Sequence, residues 1–169
     1  MLIEVKKLKH LPVASMQDEA QIGQVDQVLI HPETGELIGF LIKTGGWFSP
    51  KLALSSRDVT SYDYKGIVVR NQDSLVAIDE IQPFKSLLNR KDFWLDKEVI
   101  TESGDKLGKV NNLIIDTDLE QLAKIHVGST FGKELILDKA KIVEVTPRVV
   151  KVKDLANTNQ AAIPEQALA

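Results

Sequence analysis

The sequence predicts an all-β protein: two small antiparallel β-barrels joined by a short helix. Three observations lead there. Short runs of Val, Ile and Leu alternate with turn residues along most of the 169-residue chain, the pattern of a sandwich or barrel. One strand–turn–strand unit, Ile22 to Ile42, has a second version from Leu107 to Val127, displaced by 85 residues. Helical spacing of apolar residues stands out at a single place, between these two units.

Composition sets the outer limits. Aromatics make up only 5% of the chain, so the core has to be built from Val, Ile and Leu. A unit of roughly 70–80 residues buries a modest core, so two such units gain by docking together. There is no cysteine, which excludes disulfides, zinc–thiolate sites, iron–sulfur clusters and cysteine nucleophiles. The start, Met1 to Lys7, lacks the apolar run of a signal peptide. No stretch approaches the ~20 apolar residues of a membrane-spanning helix. A cytoplasmic location is the expectation. A net charge of −3 gives no support to general nucleic-acid binding, which shows as a basic domain or stripe.

Taken in order, Leu2-Ile3-Glu4-Val5 reads as a short first strand or an ordered arm. Lys6, Lys7, Lys9 and His10 form the densest basic patch. Leu11-Pro12-Val13-Ala14 resembles a strand start, where Pro is tolerated. Polar Gln17 to Gln21 reads as a loop. Val25 to Ile30 is then a strand, His31-Pro32-Glu33-Thr34-Gly35 its turn, and Leu37 to Ile42 the return. Pro presets one turn dihedral and Gly supplies a positive one. Strand alternation places Ile38, Phe40 and Ile42 inward and Gly39 and Leu41 outward, with Gly39 marking a bend. Thr44 to Pro50 is a loop rich in breakers that holds Trp47 and Phe48. Leu52-Ala53-Leu54 is a short strand. Asp58 to Tyr62 and Gly66 to Arg70 form another antiparallel pair.

Phe84, Leu87 and Leu88 sit at i, i+3 and i+4, with Pro83 in front. That is a one-faced helix two turns long, too short to persist without a surface to dock on. Phe93 and Trp94 follow as anchors between the units. The second unit then repeats the first. At the same displacement as Gly23 and Gly108, Val25 meets Val110, Ile30 meets Ile115, Leu37 meets Leu122, Phe40 meets Ile125 and Ile42 meets Val127. After a two-residue shift, Leu52-Ala53-Leu54 meets Leu135-Ile136-Leu137, Val59 meets Ile142 and Val69 meets Val152. An internal repeat of this kind argues for a duplicated domain. The second turn, Asp116 to Gln121, has neither Pro nor Gly, so Asp chemistry has to form it. The expected boundaries are residues 1–80 and 93–154 for the two domains, 81–92 for the helical linker and 155–169 for a flexible tail.

The pattern Ile-Gly-x-Val-x-x-Val-Leu-Ile-x-Pro-x-Thr-Gly-x-Leu-x-Gly, Ile22 to Gly39, resembles the PRC-barrel family, and so does its copy from Leu107 to Asp116. The resemblance covers about residues 8–80 and 93–153. It implies small, strongly bent antiparallel barrels that act as protein- or ribonucleoprotein-associated modules. It supplies no catalytic motif. The chain departs from the photosynthetic reaction-centre H subunit in having no membrane helix. It departs from the ribosome maturation factor in having a second PRC-like unit where that protein has an RNA-binding barrel.

A search for chemistry returns little. His10, His31 and His126 show no ligand spacing. Asp26, Glu33, Glu36, Asp116, Asp118 and Glu120 gather around the two hairpin turns, where solvated, turn-forming acids are the plain reading. Ser15, Ser55, Ser56 and Ser129 lie in no nucleophile elbow, and Gly45-Gly46 leads into no phosphate loop. No catalytic, cofactor-binding or metal residues are assigned, and no cofactor. Trp47 and Phe48 are the candidate partner-binding residues, since large aromatics at a loop tip can anchor a partner. They can equally fold back to plug the barrel end or meet the other barrel. The expected function is a non-catalytic module binding another macromolecule, most simply a protein. A second reading is an RNA- or ribosome-associated factor, if Lys6/Lys7/Lys9, Lys85/Arg90/Lys91 and Lys139/Lys141 converge on one face. A third is a membrane-peripheral adaptor.

Overall fold

A computed structural model describes residues 1–129 and 132–155. The predicted tail, residues 155–169, lies outside the described residues apart from Leu155. Strands dominate. The first half contains β1 (Leu2–Glu4), a single helical turn α1 (Val5–Leu8), β2 (Pro12–Ser15), β3 (Ala20–Ile30), β4 (Leu37–Lys43), β5 (Leu52–Ser55), β6 (Val59–Asp63), β7 (Gly66–Val69) and β8 (Leu75–Val76). Helix α2 (Gln82–Arg90) connects it to β9 (Glu98–Thr101), β10 (Lys106–Asp116), β11 (Gln121–Gly128), β12 (Glu134–Asp138), β13 (Ile142–Val145) and β14 (Val149–Val152).

These strands form two seven-stranded sheets. The first runs β6-β7-β2-β3-β4-β5-β8. The second runs β12-β11-β10-β9-β14-β13, and β1 joins it by pairing with β10. Among the described residues, pairing is antiparallel except at two places related by the repeat, where β2 pairs β7 and β9 pairs β14 in parallel.

The repeat seen in sequence is a repeat of register. Val25 pairs Ile42 and Val28 pairs Phe40; correspondingly Val110 pairs Val127 and Leu113 pairs Ile125. Even the irregularities recur. Bulges fall between Val25 and Gln27 and between Val110 and Asn112, then again at Leu29/Ile30 and Ile114/Ile115. A bulge adds twist and bends its strand, so matching bulges give both hairpins the same curvature. One expectation changes as a result. Ile38 does not face the barrel core with Phe40 and Ile42. It packs in the cluster under α2, because the bulge at Leu29/Ile30 breaks the simple alternation that sequence implies.

Two positions explain how the backbone tolerates this curvature. Gly39 has φ of 149°, and a Cβ there would lie 2.1 Å from the Leu54 carbonyl oxygen and 2.8 Å from the Phe84 ring. Gly108 has φ of 137°, with the Gly128 carbonyl oxygen in the same place. Only glycine fits either.

The halves share one apolar core. Val25, Phe40, Ile42 and Ile67 of the first half and Val110, Ile115, Ile125 and Val150 of the second belong to a single buried cluster. The hairpin tips pair across the molecule. The Leu37 N–H donates to the Glu120 carbonyl at 2.8 Å, and the Leu122 N–H donates to the Gly35 carbonyl at 2.7 Å. Each residue in the first bond is the repeat partner of one in the second, and Glu36 forms a bridge with its own counterpart Gln121. This reciprocity is the signature of an isologous contact, here made within one chain.

The connector behaves as its spacing predicts. Phe84 and Leu87 are buried on Leu29, Leu41 and Ala53, forming a second cluster on the outer face of the first sheet. Trp94 is buried, and its Nε1 donates to the His31 carbonyl at 3.2 Å, tying the linker to the first hairpin. A line of charges reinforces this seam: Arg90 lies 2.9 Å from Glu33 and 3.4 Å from Asp92, and Asp92 Oδ1 lies 2.6 Å from Lys97 Nζ. Asp92 and Lys97 are both buried. Their contact is a close charge pair, and Lys97 also donates to the Thr146 carbonyl at 2.7 Å.

Candidate functional site

The loop between β4 and β5, residues 44–51, carries the two sequence-predicted site residues. A Cβ at Gly45 would lie 2.8 Å from the Ser49 hydroxyl, whereas one at Gly46 would meet nothing within 4 Å. The Ser49 N–H closes a tight turn on the Gly46 carbonyl at 3.0 Å. Trp47 and Phe48 occupy the centre of that turn and are each 95% exposed. They plug neither barrel and touch no inter-barrel contact.

What anchors the loop is a residue that sequence reading left among the surface acids. Asp26 receives Lys43 at 2.8 Å on one carboxylate oxygen and Lys51 at 2.6 Å on the other. Lys43 ends β4 and Lys51 precedes β5, so one carboxylate ties the two ends of the loop together. Burial pushes the Asp26 carboxyl upward, but the hydrogen bonds and charges of Lys43 and Lys51 outweigh it and hold it below the usual carboxylate range. Asp26 lies in the bulge between Val25 and Gln27. The result is a neck bridged by one carboxylate and carrying an apolar tip.

His31 and the acids of the second turn form structure. His31 Nδ1 accepts the Glu33 and Thr34 N–H groups at 3.3 Å each. Its repeat partner Asp116 does the same for Asp118 and Leu119, at 3.0 and 3.3 Å. Asp chemistry thus forms the second turn, as the missing Pro and Gly require. Glu120 takes φ of 50° in the place where Gly35 takes 73°. Glu33 is engaged by Arg90, whose hydrogen bond and charge lower its pKa. Glu36 lies 3.8 Å from Arg57. Among the described residues no group of three or more His, Asp or Glu is placed to hold a metal ion. His126 pairs across the sheet from Ile136 on one side and Asn112 on the other.

Four of the eight residues in the three basic groups have side-chain partners. Lys7 pairs with Glu4, Lys85 with Asp79, and Arg90 with Glu33 and Asp92. Lys139 donates to Gln121 at 2.5 Å. No helix among the described residues is long and apolar enough to cross a membrane.

With that geometry in view, comparison with known families is informative. The family model described as PRC-barrel domain matches twice, over residues 2–77 and 94–158. No curated protein matches the chain.

Proposed function

The chain belongs to the PRC-barrel family, carrying two such domains in tandem, and from this we propose that it is a non-catalytic module that binds another protein through the loop bearing Trp47 and Phe48. One observation carries the reading: two adjacent large aromatics stand 95% exposed on a loop whose ends are clamped by a single carboxylate. Large apolar side chains exposed at a loop tip are a costly arrangement for an isolated surface and a common form of interface anchor. Fixing the neck reduces the ordering cost that a loop otherwise incurs on binding. The acids around the two hairpin turns, and His31, are engaged in turns and ion pairs.

A protein partner is favoured over RNA because Lys7, Lys85 and Arg90 of the three basic groups are already paired with carboxylates. Affinity capture from the native source, with and without nuclease, tests both points. The same specific protein is expected in both samples. It is expected to be lost with the Trp47→Ser, Phe48→Ser double variant, whose melting temperature should match the parent because neither ring is buried. Capture that is abolished by nuclease, or unchanged in the double variant, refutes the reading.

A further inference from the structure

A shallow cleft of about 570 Å³ opens where the chain leaves α2 and enters β9. Phe93, Leu95 and Pro147 line it together with Lys91, Lys109 and Arg148. None of its lining residues belongs to the aromatic loop. Its backbone repeats a corner of the first half. The His10 N–H donates to the Val25 carbonyl and the Asp96 N–H to the Val110 carbonyl, and both donors have positive φ, 72° and 68°. The Leu11 and Lys97 carbonyls then accept the Val25 and Val110 N–H groups in return. The side chains differ. Gln24 donates to the His10 carbonyl at 2.8 Å, but its counterpart Lys109 is exposed, with no side-chain partner among the described residues. Leu11 has become Lys97, whose side chain is 2% exposed.

We propose that this cleft binds an acidic peptide segment of a partner protein, with carboxylates for Lys91, Lys109 and Arg148 and an apolar side chain for Phe93, Leu95 and Pro147. Charge complementarity selects this occupant. Lys97 is already met by Asp92 and the Thr146 carbonyl, and Glu98 by Lys106 at 2.9 Å. Among the described residues Lys91, Lys109 and Arg148 have no carboxylate partner, and Asp96 is the one lining acid without a cation. A concave surface with an excess of one sign concentrates its field and draws in the opposite charge. Arg148 adds a planar fork that can hold a carboxylate by two bonds. The walls narrow the choice further. Leu95 is 46% exposed and Phe93 half-buried, so an apolar side chain gains area there that a bare anion cannot use. A nucleic acid draws its affinity from many phosphate contacts. Three free cations beside Asp96, on a chain of net charge −3, offer few.

The probe is a pool of short end-capped peptides of aspartate, glutamate, leucine and phenylalanine. A control pool has asparagine and glutamine in place of the acids. Amide signals of the isotope-labelled full chain are followed by nuclear magnetic resonance. The acidic pool is expected to shift the signals of Leu95, Lys97, Lys109 and Arg148 saturably, and the control pool to leave them in place. Lys109→Gln with Arg148→Gln, both exposed, should keep the parent's melting temperature and weaken binding by about ten-fold or more. Lys109→Arg should retain it. The Trp47→Ser, Phe48→Ser variant is expected to bind the acidic pool as the parent does, so this site and the loop tip stand or fall separately. Three results overturn the proposal: no saturable shift at these residues, equal shifts with the control pool, or binding lost in the aromatic variant but kept in the Lys109, Arg148 variant. Displacement of the acidic pool by a lower concentration of single-stranded RNA also overturns it, and would assign the cleft to nucleic acid.

Discussion

Asp26 shows how much a single carboxylate can organise. Its two oxygens hold Lys43 and Lys51, and through them the neck of the aromatic loop. Its pKa is depressed in the folded protein. The stability it contributes is therefore present above the unfolded-state value of about 4 and is lost as pH falls through the lower folded-state value. Urea midpoints measured across that acid range should decline in the parent and decline less in Asp26→Asn, which has no such proton to take up. Identical acid limbs would show that the clamp adds nothing to folding. Such roles were only partly legible in sequence. The need for Asp chemistry in the second turn could be read from the missing Pro and Gly, and Asp116 supplies it. Asp26 is not assignable from sequence, because nothing local says that Lys43 and Lys51 both come to its carboxylate. The exposure of Trp47 and Phe48 was also undecided, since a Gly-rich loop can carry rings outward or inward with equal ease.

At the level of elements, the connecting helix was the most readable feature. Its i, i+3, i+4 spacing and leading Pro83 define a face, and that face is the one buried. A nine-residue helix owes its stability to docking rather than to its own hydrogen bonds. Phe84→Ala removes its largest fully buried side chain and should cost about 3–5 kcal/mol, measured by urea denaturation. A much smaller loss would mean that α2 is held mainly by the Arg90 and Trp94 contacts at its far end. The hairpins were legible for a different reason. Two copies of one pattern, aligned, gave partners that the ladders reproduce pair by pair. The destination of β1 was hidden. Leu2 to Glu4 reads as a strand or an arm, but nothing local says that its ladder lies on Ile114 to Asp116, in the other half.

Across the whole molecule, the halves are joined by a common apolar cluster, reciprocal bonds between hairpin tips, the buried Asp92–Lys97 pair and the exchanged β1. Two family domains connected in this way should unfold as one. Trp94 fluorescence at the seam and far-ultraviolet circular dichroism over all strands are expected to give coincident urea transitions; separated midpoints would show that each half is stable without the other. The pairing of β1 also has a consequence in time. Residues 2–4 leave the ribosome long before residues 114–116 exist, so the strand made early must wait, unmatched, for its place in a sheet made late. During that interval the vacant site on one newly made chain can accept the arm of another. Exchange of these arms between neighbouring polypeptides is the misassembly to which this architecture is most open during crowded synthesis or concentrated refolding.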